Sequence, residues 1–111
     1  MVNANNPHAG IDAINLALDR ATAAKIRARP ELVEIGQANL RRWMQYDDGF
    51  VHPVHEEWKA ILNFLTPTEI ADFVESDTPK ANRLRQSTPL TGILSEEERL
   101  AILHDYEKIA V

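Results

Sequence analysis

Residues 53–75, PVHEEWKAILNFLTPTEIADFVE, decide the fold. Val54, Trp58, Ile61, Leu62 and Leu65 recur at spacings of four, three, one and three. That rhythm gathers them on one side of a helix and on neither side of a strand. Thr66 then stands before Pro67, with Glu69 three residues beyond it. A threonine can cap a helix, and a proline at the first helical position loses no hydrogen bond. A glutamate at that spacing can accept from the backbone N–H of the cap. The stretch therefore predicts a helix opened by Pro53, a stop before Thr66, and a short helix carrying Ile70, Phe73 and Val74.

The same signals extend outward in both directions. Downstream, SDTP (76–79) predicts a fifth helix opened by Pro79, with Ala81 and Leu84 on its face, closed by STPLTG (87–92). Ser95 with Glu98 forms a second capping box, so a sixth helix starts at Glu96, its face marked by Leu100, Leu103, Tyr106 or Glu107, and Ala110. Upstream, Asp47-Asp48-Gly49 is turn chemistry that ends a second helix opened by Pro30. Leu32, Val33, Gly36, Leu40, Trp43 and Met44 mark the face of that helix, Gly36 permitting a close helix contact. Residues 11–28 form a first helix with Ile11, Ile14, Leu18, Ala21 and either Ala24 or Lys25 along its stripe. Residues 1–10, MVNANNPHAG, have no periodicity and read as a loose arm. No segment alternates with period two for long enough to form a strand. The expectation is an all-α domain over 11–111, a compact bundle of about five or six helices, several opened by proline, with a flexible N-terminal arm at 1–10.

With 111 residues, 44% of them hydrophobic, the chain suits one core. It lacks cysteine, which excludes disulfides and thiolate metal sites. It shows neither a signal peptide nor an apolar run long enough for a membrane span, so a cytoplasmic protein is expected. The net charge of −5 is unevenly spread. Residues 20–42 carry six cations against Glu31 and Glu34, residues 47–78 carry eight acids against Lys59, and Lys80, Arg83 and Arg85 form a second basic patch. Separated patches suit a partner of complementary charge, whereas sequence-independent phosphate binding needs a broad basic footprint.

Few residues suggest chemistry. HPVHE (52–56) has metal-ligand residue types, but His52 and His55 are three apart with Pro53 between them, and His52 is expected outside the helix. Neither a nucleophile elbow nor a phosphate-cradling glycine loop is present. No catalytic residue, metal or cofactor is therefore expected. Trp43 and Trp58 lie on the apolar stripes of their helices and are expected to pack the second helix on the third. Arg41, Arg42, Arg83 and Arg85 suggest either contact with nucleic acid, which the acidic total disfavours, or pairing with the neighbouring acidic blocks.

Three stretches, ARPELVEIGQANLRRW, HPVHEEWKAIL and RLRQSTPLTGILSEEERLAIL, carry a shared pattern. It consists of Arg29-Pro30, Asn39-Leu40 with Trp43, Glu56 or Glu57 with Trp58, then Arg83, Arg85, Gln86, Ser87, Pro89, Gly92 and Leu94 before Glu98-Arg99. In this the chain resembles, over about residues 28–103, a family of small bacterial all-helical proteins encoded beside nucleotidyltransferase-type toxins. The resemblance implies an antitoxin-like module that neutralises a protein partner by direct contact. The alternatives are a small DNA-binding or transcriptional accessory protein, or a phage- or plasmid-encoded inhibitor of a host defence protein. Arg83, Arg85 and Gln86, held on a proline-fixed corner, are the expected partner-binding residues, with Arg41 and Arg42 beside them. The other role open to Arg85 and Gln86 is to hydrogen-bond the STPLTG backbone.

Overall fold

Proline starts most of the helices, as its preset φ and missing N–H favour. In the computed structural model, which describes residues 7–46, 49–50 and 52–109 and the side chains from 10 to 106 within them, the helices are α1 (Pro7–Ala28), α2 (Val33–Met44), α3 (Pro53–Phe64), α4 (Pro67–Glu75), α5 (Pro79–Arg85) and α6 (Glu96–Ile109). Pro30 opens a 3-10 turn, Pro30–Leu32, that runs directly into α2. No strand occurs among the described residues, and the fold is all-α as expected. None of these helices is long and apolar enough to cross a membrane.

Both capping boxes form. Thr66 N donates to Glu69 Oε1 at 2.9 Å while Glu69 N donates to Thr66 Oγ1 at 3.2 Å. Ser95 N donates to Glu98 Oε1 at 2.8 Å and Glu98 N to Ser95 Oγ at 3.1 Å. Each box satisfies two backbone donors that a helix start leaves unpaired. Thr78 caps α5 through Ala81 N at 3.2 Å, and His52 stands at the cap of α3 in extended backbone, outside the helix.

α1 packs along α4 and touches α5 and α6, while α2 and α3 pair as an antiparallel hairpin. Trp58, Ile26, Ile70, Leu84 and Val74 are the largest side chains sealed in the core. Trp58 donates from Nε1 to Leu84 O at 3.1 Å and meets Phe73 edge-on at 6.3 Å between ring centroids. It is a core residue, but one that ties α3 to α4 and α5. Trp43 is half-buried and lies 6.1 Å from the His55 ring.

Two expectations change. Residues 7–10 belong to α1, whose first turn Pro7 suits; residues 1–6, the Asp47-Asp48 step of the turn and Ala110 lie outside the described residues. The buried face of α1 is Asp19, Thr22, Ala23 and Ile26, while Ile11 is 55% exposed. Two polar residues on the buried face shift the register away from the one hydrophobicity alone suggests. Lys25, not the exposed Ala24, continues the contact side of α1.

Candidate functional site

The stretch 83–95 is built as a docked corner. Pro89, Leu90 and Ile93 are buried, and Leu90 lies over Gly36. A Cβ on that glycine would meet Leu90 Cδ2 at 2.7 Å and Leu62 Cδ1 of α3 at 3.5 Å, so the tightest approach that Gly36 permits is to this corner, beside an ordinary contact with α3. Gly92 has φ +96, a left-handed conformation that suits glycine. Asn39 Nδ2 donates to Pro89 O and Thr91 O, both at 2.8 Å, and Lys25 Nζ donates to Ile93 O at 2.8 Å. The STPLTG backbone is thus stitched by Asn39 of α2, and Ile93 just beyond it by Lys25 of α1, not by Arg85 and Gln86.

Arg85 faces inward, which corrects its expected place on a partner-facing surface. It is 5% exposed. Its Nε donates to Asp19 Oδ2 at 3.1 Å, and its Nη2 donates to Val74 O at 2.7 Å and Ser76 O at 2.8 Å. Nη1 donates to Asn82 Oδ1. The guanidinium thereby joins α1, the end of α4 and α5, and it satisfies carbonyls that the end of α4 leaves open. Burial pushes the Asp19 carboxyl up to about 6, and the charge and hydrogen bond of Arg85 pull it back only in part.

Arg83 is exposed but engaged. It makes a forked pair with Glu57, Nη1 to Oε1 at 2.9 Å and Nη2 to Oε2 at 2.6 Å, and the hydrogen bond to the guanidinium holds Glu57 below the usual carboxylate range. Gln86 is exposed at the end of α5. Arg42 Nη2 donates to Asn39 Oδ1 at 2.7 Å, orienting the amide that stitches the corner. The structure therefore separates the expected partner-binding residues: Arg85 is internal, Arg83 and Arg42 are tied to neighbours, and Arg41 stands apart from all of them.

Arg41 lies on α2 beside a groove of about 530 Å³ between α2 and α3. Leu40, Met44 and Leu62 supply its apolar floor, and Lys59 on α3 faces it from the other bank. The remaining lining side chains, Gln37, Gln45 and Asn63, are carboxamides, so among the described residues no carboxylate lines the groove. Gln37 Nε2 donates to Leu62 O at 3.0 Å across one end. Among the described residues, neither Arg41 nor Lys59 makes a hydrogen bond from its side chain or an ion pair. Lys25, Arg27, Arg29, Arg83, Arg85 and Arg99 all pair with acids.

Exposed aromatic surface falls on the same hairpin. Tyr46 is 77%, Phe50 67% and Phe64 85% exposed, whereas the other aromatic residues are buried or half-buried. Phe64, five residues beyond Lys59, stands about 140° round α3 from it, so it widens the hairpin surface without lining the groove. Sequence reasoning missed Lys59, Tyr46, Phe50 and Phe64. The signal available for Phe64 was its place off the Val54–Trp58–Ile61–Leu65 stripe, an aromatic where solvent is expected. At the turn end, the rings of Phe50 and His52 lie 5.0 Å apart and those of His52 and His55 5.2 Å apart. No group of three potential metal ligands occurs among the described residues. Comparison with protein-family models, curated proteins and solved structures finds no match.

Proposed function

We propose that the chain is an antitoxin-like protein-binding module that neutralises a cytoplasmic protein partner by direct contact through the α2–α3 hairpin. One observation carries this reading. Among the described residues, Arg41 and Lys59 flank an apolar groove without a side-chain hydrogen bond or ion pair; Arg20 and Lys80 are likewise without an ion pair elsewhere, while six other cations pair with acids of the chain. Charges left unspent beside apolar surface are what a complementary interface uses, the apolar floor contributing affinity and the rim charges orientation and rate. Exposed Tyr46, Phe50 and Phe64 add the residue type that anchors interfaces. The resemblance to proteins encoded beside nucleotidyltransferase-type toxins supports a toxin as that partner.

The test is co-expression with the product of the adjacent reading frame in the native operon. The expected result is a stable complex that co-purifies and restores growth otherwise arrested by that product. A chain that purifies alone, fails to restore growth and instead binds its own promoter in a salt-dependent way would replace this reading with a DNA-binding one.

A further inference from the structure

The groove is specific enough to indicate the chemistry of what fills it. Its α2 bank consists of Gln37, Leu40, Arg41, Met44 and Gln45, one face of the helix running about 12 Å at 1.5 Å per residue. That length matches two turns of a second helix. An open trough between two antiparallel helices offers side-chain ridges on both banks, the geometry in which a third helix packs with its apolar stripe down. The half-buried Met44, set over the buried Leu40 and Leu62, gives that stripe an apolar contact at the bottom of the groove, and Arg41 and Lys59, one on each bank, meet whatever flanks it on either side.

From this we infer that the groove takes an acidic amphipathic helix of the partner protein, an apolar stripe bordered on both sides by carboxylates. The inference rests on the protein-binding reading above and adds the element recognised and the sign of its charge. Three observations select that occupant. Among the described residues, the groove lining carries two cations and no acid, although the chain as a whole carries −5. Among the described residues neither cation makes an ion pair, whereas Arg83 and Arg27, also exposed, do. The carboxamides Gln37, Gln45 and Asn63 supply further donors to carboxylates without adding charge that would repel them. A basic helix would place like charges against Arg41 and Lys59, and a neutral one would leave both without a partner on a covered surface, which is costly.

The experiment uses the full chain and two short alanine-based helical peptides, one with a leucine stripe flanked by glutamates and one identical except for lysines in their place. Fluorescence anisotropy should show the acidic peptide binding the wild-type chain at least ~10-fold more tightly than the basic one. That preference should reverse for the Arg41→Glu, Lys59→Glu double variant, as complementary charges across an interface dictate. Equal affinity for the two peptides, no binding of the acidic one, or an unchanged preference in the variant would overturn the inference. Circular dichroism of the variant establishes that it is folded, and Arg41→Gln with Lys59→Gln, which keeps the side-chain stems, should lose the preference without reversing it. The same double variant is then tested against the co-purifying partner. If that partner still binds, the acidic-helix inference fails while the protein-binding reading stands; if the adjacent product does not co-purify but the peptides discriminate, the toxin reading fails while the groove's preference for an acidic helix stands. A dimer of the wild-type chain in solution that the double variant dissolves would place a second copy in the groove and would also overturn the inference.

Discussion

Replacing Arg85 with Met should show that the most polar part of the corner is a structural joint. Methionine keeps much of the buried stem but removes the guanidinium, and with it the bonds to Asp19, Val74 O, Ser76 O and Asn82. Asp19, with its side chain 8% exposed, would be left as a buried carboxylate without its counter-charge. Breaking a buried pair in this way costs about 3–5 kcal/mol, a large part of the stability of a small domain. The cost should depend on pH. In the wild type the folded carboxyl titrates at about 6 against 3.8 for the free group, so the folded state holds the proton more tightly and stability falls as pH rises between those values. Without Arg85 the attraction that restrains the rise is gone, and the folded value moves higher still. Between pH 5 and pH 7 the variant should therefore lose more than the wild type, by up to about 1.4 kcal/mol, one further unit of proton linkage. Denaturant melts followed by circular dichroism at both pH values measure this, and adding Asp19→Leu should recover part of the loss. A variant within about 1 kcal/mol of wild type at pH 7, or a deficit independent of pH, would refute the reasoning.

Other outcomes follow from the same structure. Trp58→Ala should cost about 3–5 kcal/mol in denaturant melts, since the indole is 1% exposed and its N–H is committed to Leu84 O. The Glu98 carboxyl, held down to about 2 by Lys25 and by its capping bonds with Ser95, should titrate near that value by NMR, and Lys25→Ala should return it toward the ordinary range. Its contribution is accordingly present at neutral pH, begins to be lost as pH falls below the ordinary value of 4.5 and is gone once pH falls through about 2. Arg83→Glu, which breaks an exposed pair with Glu57, should change stability by no more than about 1 kcal/mol and should leave partner binding intact, checked by melt and pull-down together.

Much of the fold was legible because its boundaries are chemical. Pro53, Pro67 and Pro79 each open a helix, and Thr66 with Glu69 and Ser95 with Glu98 form the boxes their spacing predicts. The register of α1 was not legible. A periodicity rule counts apolar residues, and Asp19 is buried only because Arg85 meets it from 66 positions away. The same long-range pairing moved Arg85 from the expected surface to the interior. Arg83, Arg85, Arg41 and Arg42 look alike in sequence, and what distinguishes them is whether the fold brings an acid or an amide within reach. Arg41 alone among them is left without one. Lys59 could not be singled out because a groove belongs to two helices, and neither helix encodes it alone.

Amide hydrogen exchange of the chain, alone and in complex with its co-purifying partner, measures most directly where recognition occurs. Protection should rise over residues 37–45 and 59–63, the two banks of the groove, and stay unchanged over the corner at 83–95, whose backbone is already held by Asn39 and Lys25. Protection gained at 83–95 with none on the α2–α3 hairpin would contradict the assignment and return recognition to the corner.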